Sequence, residues 1–491
     1  MNDFLESRLE KTVLEAQREF QTPAISLAIL RDGKIIFEAG YGTRTLGADE
    51  TVDADTSYAI ASMSKSMTAA VLAGLVEEGA LSWDDRVSNY LPDFRLQDGT
   101  ASREFRVRDL LIHNSGLRSE AGGTIWYGSD RTRLEVVRRL RFLRPVSDFR
   151  ERFAYQNVTF LVAGLVAEAV SGDRWDDLIQ RRIFDPLGMT RSFPTLSARD
   201  LAATGNIASP HALIQGRTSV IPYRDHDNIA PAASVHSTAH DLARYLAMFL
   251  NRGMAGKKRI LSEASVAELH HPQMIGREPD PVAHPRLKPA FATYGYGWFI
   301  DSYGGEKRVY HSGGVDGMRG QIALFPERGS GVVVLSNSEN QYAYQSVLMT
   351  IEDWLIGAEP VDWVRTYSEF ARTNPDRTEL PERIAGTAPL HALEAYCGTF
   401  CDSVAGEIVV SARAGKLRLE FVRTPAFRAE LSHYHYDTFR LRWDDRYIPD
   451  GLVTFMTGSA GRVGGLTLDQ PRLLDVDFGE LDPMIRRAAG A

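Results

Sequence analysis

The sequence predicts an α/β (α+β) fold: a long region with a mainly antiparallel sheet and many helices, followed by a small all-β barrel. Three observations predict it. β-patterned segments stand at both ends of the span 24–336, with helical segments between them. One helix, from Ser62 to about Glu78, is apolar on nearly every face, as a central buried helix must be. From Ala392 onward, short β-patterned runs succeed one another at the spacing of a sandwich or barrel.

The elements follow in order. An amphipathic helix opens the chain, with Leu5, Leu9 and Val13 at four-residue spacing. Ala24–Leu30 and Ile35–Ala39 flank Arg31-Asp-Gly-Lys34, an Asp-Gly hairpin signal. Gly79 closes the 62–78 helix. Apolar spacing predicts further helices at Val107–His113, Val158–Val170, Trp175–Phe184 and Ala239–Leu250. Strands are expected at Arg308–Tyr310, Gly320–Phe325 and Gly331–Ser336, separated by Gly-rich and Pro-Glu-Arg-Gly turns.

After Ile356 come Pro360, Pro375, Pro381 and Pro389 among charged residues, the pattern of a helix-containing linker. Seven runs then read as strands: Ala395–Phe400, Glu407–Ser411, Lys416–Phe421, Phe427–Leu431, Thr438–Trp443, Val453–Thr457 and Val463–Leu468. At 491 residues the chain is too long for one core. The expected division is a catalytic-type domain over 1–357, a linker over 358–391 and a barrel over 392–491.

Composition excludes several classes. A formal net charge of -8 argues against general nucleic-acid binding and against anionic membrane surfaces. No apolar run approaches the roughly 20 residues of a membrane span. The N-terminal stretch lacks the basic and apolar regions of a signal peptide, so a cytoplasmic location is expected. Cys397 and Cys401, four apart on one strand, would lie roughly 13 Å from each other, too far for a disulfide, and read as buried small residues. His236, His240, His270-His271 and His433-x-His435 have no zinc-site companions, so neither metal nor cofactor is expected. A Gly-x-Ser-x-Gly elbow, a P-loop and a Gly-x-Gly-x-x-Gly fingerprint are all absent.

Three local patterns carry chemistry. In Ser62-Met-Ser-Lys65 a hydroxyl and an amine stand one helical turn apart, so the amine reaches the serine oxygen. A serine needs such a neighbour to take its proton. Tyr155-Gln-Asn157 precedes an apolar helix; a phenol beside an ammonium is drawn toward its ionised form, and Asn157 offers both donor and acceptor to a substrate amide. His311-Ser-Gly-Gly314 sits between a strand and a Gly-rich turn, where backbone approaches a ligand closely and N–H groups receive an oxyanion. Each pattern alone is common; the three in this order are not.

With these residues the chain resembles the serine β-lactamase-related family, which includes class C β-lactamases, DD-carboxypeptidases, D-aminopeptidases and esterases. Its motifs Ser-x-x-Lys, Tyr-x-Asn and Lys-Thr-Gly or His-x-Gly match Ser62–Lys65, Tyr155–Asn157 and His311–Gly313. Val107–Leu117, Asp185–Met189, Ser237–Ala243 and Tyr294–Trp298 also look like the family, over about residues 10–355.

The resemblance implies a beta-lactamase/transpeptidase-like domain, and the C-terminal segment is similar to appended lipocalin-like barrels. It implies an acyl-enzyme on Ser62, with Lys65 and Tyr155 sharing general-base and general-acid duty, either one taking the first proton, and with His311 in the third-motif place as a further catalytic, polarising or proton-handling group. Asn157, Ser312, Gly313 and Gly314 would bind substrate, Ser62 and Gly314 supplying the oxyanion N–H groups. Histidine in place of the usual lysine argues against efficient β-lactam hydrolysis. The expected activity is cleavage of an amide bond in a small peptide or (D-)amino-acid derivative. A carboxylesterase and a non-turnover binding or assembly protein are the alternatives. The expected partner is a small-molecule or short-peptide substrate, with homo-oligomerisation left open. Arg319 is a candidate for a substrate carboxylate, Trp126 and Tyr127 for the cleft wall, and His113 for packing or hydrogen bonding under the site.

Overall fold

Residues 24–42 fold back at Asp32-Gly33, where both residues take left-handed φ (51° and 65°), as the tight hairpin turn requires. The computed structural model describes residues 4–199, 205–276, 282, 284–374 and 380–488; Pro375 lies outside them. The hairpin strands β1 (Ala24–Arg31) and β2 (Lys34–Gly42) form one edge of an eight-stranded sheet. The others are β3 (Met274–Ile275), β4 (Ala292–Tyr294), β5 (Phe299–Tyr303), β6 (Glu306–Val315), β7 (Met318–Phe325) and β8 (Ser330–Ser336). Their order is β2-β1-β8-β7-β6-β5-β4-β3, antiparallel throughout. Register Ile25↔Ser336 to Leu30↔Gly331 sets the last strand beside the first.

One face of the sheet buries Ile25, Leu27, Ile29, Val332 and Val334 against α1 (Leu9–Glu19) and the late helix Gln341–Ile356. Toward the middle of the chain run α2 (Ser64–Glu77), α3 (Val158–Ser171) and α4 (Ala239–Leu250). In α2 even Ser64, Lys65, Ser66 and Thr68 are buried.

The structure departs from expectation in places. Val107–His113 holds only a short 3-10 turn, Arg108–Leu111, because the Asp109 carboxylate caps the Arg106 N–H and His113 turns left-handed (φ 60°). Trp175–Phe184 splits into an α turn and a π turn at Ile179. The strand expected at Arg308–Tyr310 continues to Val315, so His311–Gly314 lie within β6 and the turn falls at Asp316-Gly317.

The chain divides into two compact units. The first comprises Met1–Pro92, Arg103–Gly116 and Ser147–Pro375. The second comprises Asp93–Ser102, Leu117–Val146 and Asp376–Ala491. Its core is a closed antiparallel barrel in chain order: β9 (Gly398–Asp402), β10 (Gly406–Arg413), β11 (Lys416–Phe421), β12 (Arg428–His435), β13 (Thr438–Trp443), β14 (Gly451–Thr457), β15 (Val463–Asp469) and β16 (Ile485–Arg487). Three-residue β16 closes it, pairing with β15 on one side and β9 on the other. Aromatic rings fill the interior: Tyr396 stands 4.9 Å from Phe455, and Phe427 stands 5.0 Å from Phe478.

The Leu117–Val146 stretch is bound into this second unit. The buried Glu480 carboxylate accepts N–H bonds from Gly122 (2.6 Å) and Thr124 (2.8 Å) and the Thr124 hydroxyl. Trp126 and Tyr127 are buried here, Tyr127 stacking on Phe427, so they are core residues. Cys397 and Cys401 are unpaired, one half-buried and one exposed rather than buried.

Candidate active site

The backbone before Ser62 is held in an unusual shape. Ala61 has φ 52°, left-handed for a residue with a Cβ, at a cost of about 1–2 kcal/mol. The 3-10 turn Ala61–Met63 then runs into α2, which sets Ser62 at the positive end of that helix. Neighbouring serines stitch the turn: Ser64 Oγ donates to Ala61 O (2.6 Å) and accepts from Val235 N (3.2 Å). Gly313 allows the close approach of β6, since a Cβ there would lie 2.1 Å from Ile60 O. Ser62 is half-buried; Lys65 is wholly buried.

Lys65 Nζ donates to Ser62 Oγ (2.9 Å), Asn157 Oδ1 (2.6 Å) and Ala232 O (3.1 Å). The amine also lies 4.8 Å from the Tyr155 ring centre and 5.6 Å from that of Phe160. Ser62, Lys65, Tyr155 and Asn157 are therefore brought together, the last two from the loop entering α3.

His311 joins this group from β6. Its Nδ1 lies 2.6 Å from the Ser312 carbonyl and must donate there, so Nε2 accepts from the Tyr294 hydroxyl at 3.0 Å. Burial, and then the Lys65 charge, push the imidazole down to about 3. The ring is a neutral, fully hydrogen-bonded group rather than a second cation.

Strand alternation puts His311 and Gly313 on the α2 face and Ser312 and Gly314 on the other. Pairing with β5 stops at Phe299↔Tyr310, whereas pairing with β7 runs to Val315↔Met318. Among the described residues no strand pairs with His311–Gly314 on the β5 side. Arg319 lies outside the cluster: its Nη1 donates to Val315 O (2.7 Å) and Met318 O (3.1 Å), closing its own hairpin.

Sequence reasoning missed two partners. Ala232 supplies only a carbonyl, which no side-chain pattern reveals. Tyr294 and Gly297 belong to the Tyr-Gly-Tyr-Gly-Trp stretch noted above. Tyr294 bonds His311, while Gly297 (φ 75°) lets α2 approach, since a Cβ there would meet Lys65 O at 2.8 Å. Among the described residues no three His, Cys, Asp or Glu side chains converge as a metal site. No helix among them is long and apolar enough to cross a membrane.

The model of the Beta-lactamase family matches residues 9–347. The chain belongs to that family. A second model, a domain of unknown function (DUF3471), matches residues 382–484, most of the barrel. An Aspergillus violaceofuscus relative in the curated proteins, unguisins hydrolase ungD, is 27% identical over 480 residues, covering 89% of this chain and 82% of its own. Among solved structures, the octameric penicillin-binding protein homologue from Pyrococcus abyssi superposes with TM-score 0.63 at 24% identity, over 95% of this chain and 98% of its own. A D-stereospecific amidohydrolase from Streptomyces gives 0.58 at 21%, over 72% of this chain and all (100%) of its own. Both structures share the fold. The beta-lactamase/transpeptidase-like fold with a C-terminal eight-stranded barrel is thereby established, in a family whose relatives include hydrolases.

Proposed function

We propose that the protein is a serine hydrolase that cleaves the amide bond of a small peptide or D-amino-acid derivative through an acyl-enzyme on Ser62. The observation that carries this reading is the Lys65 amine on Ser62 Oγ at 2.9 Å, fixed by Asn157. Lys65 and Tyr155 share the proton taken from Ser62 and returned to the leaving amine. The N–H groups of Ser62 and Gly314 receive the oxyanion. The β5-side edge of β6 at His311–Gly314 offers main-chain bonds to an extended substrate, as edge strands do for peptides. Neutral His311 supplies no charge for a β-lactam carboxylate; its role is to hold that edge in place. The relative named for hydrolysing unguisins supports a hydrolase, and the D-stereospecific neighbour names the stereochemistry to test.

A fluorophosphonate probe followed by mass spectrometry tests the centre, with rates compared on D-amino-acid amides, L-amino-acid amides and p-nitrophenyl esters. The expected result is an adduct on Ser62, turnover of a D-amide, and loss of both in Ser62→Ala. Turnover that survives in Ser62→Ala would overturn the reading. Ester turnover without amide turnover would make the protein a carboxylesterase.

A further inference from the structure

His113 is outside all three motifs, yet it grips the Tyr155 loop from both sides. Its carbonyl accepts the Ala154 N–H (2.8 Å) and its Nδ1 accepts the Gln156 N–H (2.9 Å). Tyr155 is the residue between these two anchors. The rings of His113 and Tyr155 lie 4.4 Å apart, and His113 is equally close to Tyr294, which bonds His311.

The imidazole is wholly buried, and Nδ1 as acceptor requires the proton on Nε2. That Nε2 has no hydrogen-bond partner among Phe153, Phe160 and Tyr294. An unpaired buried N–H costs about 1–3 kcal/mol, so packing alone would favour an apolar ring here. Burial, Lys65 and His311 all hold the ring in its neutral form, the form that leaves Nδ1 free to accept. The backbone is left-handed at φ 60°, a second local cost.

We propose that His113 is a positioning residue: its Nδ1 fixes the Gln156 N–H, and with it the Tyr155 phenol and the Asn157 amide that serve Lys65. This rests on the reading of Ser62 as nucleophile. The imidazole places a short acceptor at this point among the rings of Phe153, Phe160 and Tyr294.

Three substitutions test it. His113→Asn keeps an acceptor near the Nδ1 position and tolerates the left-handed backbone. His113→Gly accepts that backbone better still but offers no acceptor. The measurements are kcat on the best substrate and the rate of Ser62 labelling, with Tm as the check on fold. His113→Asn should stay within about threefold of the parent, and His113→Gly should fall about tenfold or more below it at similar Tm. Equal rates for the two would overturn the proposal. If His113→Gly does not fold, His113→Gln replaces it, since its amide reaches the Nε2 position instead. Gln should then fall about tenfold below Asn, and parity would again overturn the idea. Failure of the nucleophile reading looks different: Ser62→Ala would turn over substrate whatever stands at position 113.

Discussion

The two compact units fill their interiors with different material. The first buries Lys65, Asn157, His113 and His311 together, joined by hydrogen bonds and rings. The second buries Phe400, Phe427, Phe439, Trp443, Phe455 and Phe478, with Glu480, Asp402 and Arg131 as charged exceptions. A barrel of eight strands is narrow enough for its own side chains to fill. These rings are buried and pack against one another, Phe427 on Phe478 and Phe439 on Phe455, so this part of the unit is a core. The Lys65 cluster forms where the left-handed turn at Ala61 and the close approach at Gly313 bring the start of α2 and β6 together.

Paired substitutions test this contrast most strongly. Lys65→Ala should lower turnover on the order of 10²–10⁴-fold. Phe427→Ala should instead cost the second unit about 3–5 kcal/mol, through the cavity it leaves. Rate assays and hydrogen exchange of the barrel amides measure the two; a Phe427→Ala protein with full barrel protection would break the contrast.

Acid and base should act on the two units in opposite directions. Burial pushes His226 down to about 4 and His236, His270 and His311 to about 3. An exposed histidine titrates near 6.5, so below that pH the unfolded chain takes up protons that the folded unit refuses. Glu352, which burial pushes up to about 7, acts the other way in this unit, but the four histidines outnumber it, so stability of the first unit falls as pH drops from about 6.5 toward 3. Burial pushes Glu480 up to about 7, so its contribution is complete below about 4.5 and is lost as pH rises through 7. Hydrogen exchange at pH 5 and pH 8 should show the first unit better protected at pH 8 and the Gly122–Trp126 amides better protected at pH 5.

The smallest expected effect is Tyr294→Phe. It removes one neutral hydrogen bond to His311, worth about 0.5–1.5 kcal/mol, and should lower kcat only several-fold. A loss as large as that of Lys65→Ala would mean that Tyr294 itself handles a proton.

Much of this was legible in the sequence because period and spacing are local. The 62–78 helix, the β1–β2 hairpin and seven barrel strands all follow from residues within a few positions of each other. The eighth strand was not legible, since Ile485-Arg-Arg is too short for alternation to register. His311–Gly314 read as a turn because adjacent glycines usually break a strand; here they remain extended so that Ile60 can pack against them. Ala232 was invisible because a backbone carbonyl leaves no residue-type signal. The allegiance of Leu117–Val146 depends on Glu480, far beyond any local pattern.

That distance has a consequence for synthesis. Gly122 and Glu480 are 358 positions apart, so the bond between them forms only once residue 480 has been made. Trp126 and Tyr127 leave the ribosome well before Phe427 and the barrel strands exist. Until then they are apolar surface on an incomplete chain, the kind of exposure that drives association between nascent proteins. A chain interrupted before residue 480 would carry all three motifs and still display this uncovered patch. Synthesis of the stretch from Phe427 to Glu480 is what turns the patch into interior.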